Sequence, residues 1–223
     1  KKKKKKKKKY PKNRKSMYQL RGDYMKHLLG RFKSTDLLEI YTYEGDVNKC
    51  LVAYILQTNE EYTLLATVGT SGLYDGHYVI STESVVSIAT ETEYLKKIKN
   101  LYNLKKQVHP TYTGNTEDLI IGGLEFAQAQ NYIVSLMLLD SEEYSTTGFV
   151  TEIIENETVV ISEVDSFGFV DGKKFIDIEA IEHLTINGEE EQDIKLLFSN
   201  NALNPHNFNP LEMKTRPAPR AAT

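Results

Sequence analysis

The segments TVGTSGLYDGHYVISTESVVSI (residues 67–88) and EVDSFGFVDGKKFIDIEAIEHL (residues 163–184) align without a gap at an offset of 96 residues. Val68 falls on Val164, Gly72 on Gly168, Asp75 on Asp171, Gly76 on Gly172, Ile80 on Ile176 and Glu83 on Glu179, with the apolar pairs Val85/Ile181 and Ile88/Leu184 beside them. Further out at the same offset lie Glu61/Glu157, Ile98/Ile194, Lys99/Lys195 and Leu101/Leu197. Turn formers and core positions recur together, as an internal duplication requires. The pattern predicts two homologous units.

Each unit reads in the same order. An amphipathic helix opens the first, with Met17, Leu20, Met25, Leu28, Leu29 and Phe32 close to one face. Its counterpart is TEDLIIGGLEFAQAQ, with Thr116 as expected N-cap and acids in the first turn, where the helix dipole favours them. Gly122 and Gly123 each weaken that helix by about 1 kcal/mol relative to Ala, so it needs tertiary support. Five short segments rich in β-branched and aromatic residues follow: LLEIYTY, KCLVAYILQ, EYTLLATV, HYVIS and SVVSIAT in one copy, and YIVSLML, TTGFVTEI, ETVVISEV, KFIDI and AIEHLTI in the other. Short polar connections between them predict antiparallel neighbours. The pairs Asp75-Gly76 and Asp171-Gly172 are expected to make tight turns, and Gly72 and Gly168 to make bends, because Asp tolerates the left-handed region and Gly occupies it freely. Each unit ends in a further helix.

The expected fold class is therefore mostly β with flanking helices (α+β): two tandem five-stranded bent antiparallel small barrels, each preceded and followed by a helix. The expected boundaries are a disordered polybasic arm over residues 1–15, a first repeat over 16–107, a linker over 108–115, a second repeat over 116–199 and a disordered Pro/Asn-rich tail over 200–223. On the bends Gly72 and Gly168, the Asp-Gly pairs and the hydrophobic strands, the chain resembles the Sm-like fold, within the wider group of SH3-like small barrels, and uncharacterised bacterial proteins of that type. The resemblance implies a binding role. Sm-like proteins commonly bind RNA through an Asp-aromatic-Asn loop and an Arg-Gly loop; Tyr74-Asp75-Gly76 has a different order, and no Arg-Gly follows the fifth strand in either copy.

The formal net charge of −3 over 223 residues averages two unlike parts. Lys1, Lys2, Lys3, Lys4, Lys5, Lys6, Lys7, Lys8, Lys9, Lys12, Arg14 and Lys15 stand in the first fifteen positions, which hold no acid. These are twelve of 28 basic residues, so the remainder carries 16 basic against 31 acidic, a formal −15. The arm reads either as a polyanion-binding segment, for nucleic-acid phosphates or less favourably an anionic membrane surface, or as a solubility tag. No run approaches ~18 consecutive apolar residues, and the single Cys50 allows no internal disulfide. A cytoplasmic location is expected.

The scattered histidines His27, His77, His109, His183 and His206 show no zinc-ligand spacing, and GFVDGKK lacks the phosphate-loop pattern. His77 reads as a surface turn residue and His183 as a half-exposed edge residue. No catalytic residue, metal or cofactor is expected. Tyrosines at 41, 43, 54, 62, 74, 78, 94 and 102 suggest either an aromatic partner face or barrel filling, with Tyr74, His77 and Tyr78 the candidate partner-binding residues. The leading expectation is a non-enzymatic adaptor or regulatory binding protein with a protein partner or self-association and no small-molecule substrate. The alternative is a nucleic-acid binder acting through the arm.

Overall fold

The computed structural model describes residues 24–42, 50–139 and 146–203, so the arm, its twelve basic residues, Tyr43 and the end of the tail lie outside the described residues. Ten strands form one antiparallel sheet in the order β5-β1-β2-β3-β4-β10-β6-β7-β8-β9. They are β1 (Leu38–Thr42), β2 (Leu51–Thr58), β3 (Tyr62–Val68), β4 (Tyr74–Ser81), β5 (Val85–Ala89), β6 (Ile133–Leu138), β7 (Thr146–Ile154), β8 (Thr158–Val164), β9 (Val170–Asp177) and β10 (Ile181–Ile186). Among the described residues four helices accompany them: α1 at residues 24–29, α2 (Glu93–Leu104), α3 (Leu119–Gln130) and α4 (Glu189–Leu203). The fold is α+β and mostly β. The two expected sets of five strands are joined edge to edge by β4 and β10, and the sheet does not close on itself, since β5 and β9 are its free edges.

The offset of 96 runs through the elements themselves. β3 and β8, β4 and β9, and the single 3-10 turns Thr82–Ser84 and Ile178–Ala180 coincide at both ends when shifted, and α2 and α4 start at equivalent residues, Glu93 and Glu189. The packing repeats as well. Leu37, Val68 and Ile98 form a small core beneath α2, with Tyr102 against it, while Ile133, Val164 and Ile194 form its counterpart beneath α4, with Phe198 in the place of Tyr102.

The bend glycines serve this packing. Gly72 has φ +71, and a Cβ there would lie 2.5 Å from Leu101 Cβ; Gly168 has φ +79, and its Cβ would lie 2.4 Å from the Phe198 nitrogen. The turn itself closes when Gly72 N–H donates to the Gly69 carbonyl, or Gly168 N–H to that of Asp165. The Asp-Gly pairs do not form it: they lie inside β4 and β9.

Helix α3 locks the two halves together. Asp118, not Thr116, caps it by accepting from Ile121 N–H at 2.9 Å. Asn131 ends it in the left-handed region at φ 51. It packs on β3 and β4 of the first half and on β6, β7 and β10 of the second. Gly122 lets the chain at Asn115 approach one side, and Gly123 lets Leu184 approach the other; a Cβ would lie 2.1 Å from the Asn115 carbonyl oxygen and 2.7 Å from Leu184 Cδ2. The two glycines that weaken the helix are thus what let it be covered on both sides. Leu64 and Val79 of the first half are fully buried in the same core as Leu124, Val134, Ile161 and Leu184. Each such aliphatic side chain contributes roughly 1.5–3 kcal/mol.

Two expectations about histidine are corrected here. His77 is fully buried, because β4 is an interior strand once β10 pairs with it, and His183 on β10 is 1 % exposed for the same reason. The described tyrosines among those singled out are all half-buried, so none stands free as the aromatic partner face would have it. Helix α4 also runs to Leu203, past the expected start of the tail at residue 200.

Candidate binding surface at the junction of the halves

The junction is built by the register Val79 to Leu184, Tyr78 to Thr185 and His77 to Ile186. Asp75 sits at its end. Its Oδ1 accepts from Glu189 N–H at 2.8 Å, so a carboxylate from the first half caps the last helix of the second. Gly76, at φ +77, allows the crossing: a Cβ there would lie 2.4 Å from the Ile186 carbonyl oxygen and 2.6 Å from the Gly188 nitrogen. The Asp-Gly pair read as a turn is therefore the fastening between the halves. Its copy, Asp171-Gly172, sits on the free edge strand β9, and among the described residues nothing lies within 4 Å of where the Gly172 Cβ would be.

On one side of the junction lies an aromatic cluster. The His77 ring is 5.3 Å from Phe126, 6.2 Å from Tyr74 and 6.0 Å from His109. Among the described residues neither of its ring nitrogens completes a hydrogen bond. Burial, and then the neighbouring His109, push its pKa down to about 4; the Pro110 carbonyl opposes this and is outweighed. His109 is held differently. Its Nε2 donates to the Thr67 carbonyl at 2.7 Å, since a carbonyl can only accept, which leaves Nδ1 to accept from the Tyr102 hydroxyl at 2.8 Å. Both partners suit a neutral ring, and burial lowers its pKa too. The stretch expected as a linker is thus packed into the junction through His109 and Tyr112.

Next to the β4–β10 pairing a groove of about 520 Å³ opens, lined by Thr67, Asp75, Tyr78, Thr185 and the start of α4 at Glu189, Glu190 and Glu191. Thr147 and Glu190 continue it into a smaller lobe of about 270 Å³, which adds Glu163, Asp165 and Asp171. Seven carboxylates therefore border one continuous depression, and Lys174, 3.3 Å from Glu163, is paired with one of them. Burial raises the pKa of Asp75 and of Glu191. Thr146 in the smaller lobe is 3 % exposed, and its hydroxyl has no partner among the described residues.

Beneath the groove, Glu191 takes a hydrogen bond from the Ser135 hydroxyl on β6. The first half makes the same tie with the roles exchanged: Glu39 on β1, the position equivalent to Ser135, accepts from Thr92, which caps α2. Each carboxylate is buried beside a helix N-terminus, where the dipole favours it.

Of the residues singled out from sequence, Tyr74, His77 and Tyr78 do meet at the junction, but Tyr74 and His77 face the buried cluster and only Tyr78 lines the groove. His109 and the pair Ser135–Glu191 were missed. The repeat held half a signal for the second, since Glu39 stands at the 96-residue offset from Ser135, whereas Thr92 falls on Gly188 and Glu191 on Leu95. Cys50 is partly buried, and burial followed by the nearby Glu39 raises its thiol pKa, which disfavours a nucleophilic thiolate. Among the described residues no three His, Cys, Asp or Glu side chains are grouped to hold a metal ion, and no helix is long and apolar enough to cross a membrane. Comparison with protein-family models, with curated proteins and with solved structures found no match for the chain.

Proposed function

We propose that the protein is a non-enzymatic tandem small-barrel adaptor that receives a basic segment of a protein partner in the groove at the junction. The observation that carries this reading is the groove itself, where carboxylates from both halves border an open depression and, among the described residues, Lys174 is paired with one of them. A lysine- or arginine-rich strand entering it would exchange water for charge-assisted hydrogen bonds with Glu189 and Glu190, and the unpartnered Thr146 hydroxyl would gain a partner. Reading each half as an Sm-like or SH3-like barrel is supported by strand pairing. β1 bonds to both β2 and β5, and β6 to both β7 and β10, so each five-strand set bends back on its first strand.

The test is fluorescence anisotropy of a labelled lysine- and arginine-rich peptide against the full chain, beside a neutral peptide of equal length. Binding that weakens with salt and with the double substitution Glu189→Gln and Glu190→Gln is expected. Equal binding of both peptides, or no effect of the substitutions, refutes it. The alternative of nucleic-acid binding through Lys1 to Lys15 rests on twelve clustered cations. It predicts steeply salt-dependent affinity that vanishes when residues 1–15 are deleted.

A further inference from the structure

The β4–β10 junction has an unused copy of each of its two sides, one on each free edge of the sheet. β9 is β4 moved by 96 residues, and β5 is β10 moved by the same amount. In the junction, Val79 is fully buried, Gly76 is pressed against the backbone of β10 and Asp75 caps Glu189. On β9 the equivalents are Phe175, 66 % exposed; Gly172, kept at φ +103 with open space around it; and Asp171, without a helix to cap. On β5 the matching features wait in the same order. Ile88, which the offset sets on the paired Leu184, is half-buried, Glu91 repeats the left-handed backbone of Asn187, and α2 begins at Glu93 as α4 begins at Glu189.

We infer that β9 of one chain pairs with β5 of a second copy of this chain, in the register already seen between β4 and β10. Shifted by 96 residues, that register sets Phe175 opposite Ile88, Lys174 opposite Ala89 and Lys173 opposite Thr90. Asp171 then caps the second copy's α2 at Glu93 N–H, and Gly172 lies where the backbone of Thr90 and Thr92 passes. The two edges are different surfaces, so the contact is head-to-tail. Copies add until a ring closes, or else extend as a filament. A glycine at positive φ with nothing near it is otherwise an unexplained feature of an exposed strand, and an open edge of this length invites pairing.

The test uses the full chain in a Cys50→Ser background. With Ala89→Cys and Lys174→Cys together, mild oxidation is expected to give a ladder of disulfide-linked multimers on a non-reducing gel. Moving one cysteine out of register, with Val86→Cys in place of Ala89→Cys, should lose the ladder. Light scattering of the unmodified chain should show mass rising with concentration, and Phe175→Lys, which alters only an exposed side chain, should weaken self-association about tenfold or more. A single-chain mass at every concentration, a ladder of equal strength from the displaced pair, or unchanged association of Phe175→Lys each overturns the inference.

Discussion

Acidification from about pH 7 to about pH 4 should destabilise this protein through one ring. His77 is fully buried and its pKa is pushed from 6.5 down to about 4. In the unfolded chain the imidazole takes up a proton below 6.5, whereas in the folded chain it resists until about 4. Stability from this group is therefore whole above 6.5, falls steadily between 6.5 and 4, and levels off below. A difference of two to three pKa units corresponds to about 3 kcal/mol. His109 acts in the same direction, also by burial. Asp75 and Glu191 act in the opposite direction, because burial raises their pKa values and the folded chain takes up their protons more readily as pH falls. The contribution of His77 is isolated by difference. Urea unfolding of the wild type and of His77→Leu, followed by circular dichroism at a fixed ionic strength, should show the variant gaining about 3 kcal/mol on the wild type as pH falls across that window. A difference that stays flat from pH 7 to pH 4 would refute the reasoning, for it would mean that the ring is protonated or hydrated in the folded state.

Gly76→Ala should be much more damaging than Gly172→Ala in thermal melts of the dilute single chain, because the first drives a Cβ into the backbone of β10 while the second, within one chain, meets only its positive φ, a penalty of about 1–2 kcal/mol. Ser135→Ala should cost about 1–3 kcal/mol at neutral pH by leaving the buried Glu191 without its hydroxyl, and Glu191→Gln in the same background should recover part of it. Leu64→Ala should cost about 2–5 kcal/mol and, because Leu64 belongs to the core shared with α3, should lower the unfolding transition of both halves together; two separate transitions would count against a shared core.

The strands were legible because their connections are short and their residues β-branched, and the 96-residue offset placed them in equivalent pairs. What the offset could not show was where the edges go. Nothing in DGHYVIS or AIEHLTI says that β4 and β10 will meet, and the burial of His77 needs both that meeting and the cover of Phe126 and His109. The Asp-Gly pairs illustrate the limit. Backbone chemistry correctly demanded positive φ at Gly76 and Gly172, yet the reason at Gly76 is a crossing strand more than a hundred residues away, not a local reversal. His109 was invisible for a related cause: it stands among Pro110 and Gly114 in a stretch whose composition reads as a connection, and its two partners, Tyr102 and Thr67, lie on different elements. The acidic groove was half visible, since a helix was expected at the end of the second unit, but not that its start would be one wall of a junction.

The exchanged roles of Glu39–Thr92 and Ser135–Glu191 have made the two copies incompatible with each other's parts. Were the β6 sequence transplanted into the first half, Ser would face Thr92, and the helix start would lose its carboxylate. In the reverse transplant, Glu would face Glu191, and two acids would compete for one dry site. Recombination between the copies, the ordinary way in which tandem duplicates are kept alike, would thus be penalised at every crossover between a strand and its helix, and the halves are free to go on diverging.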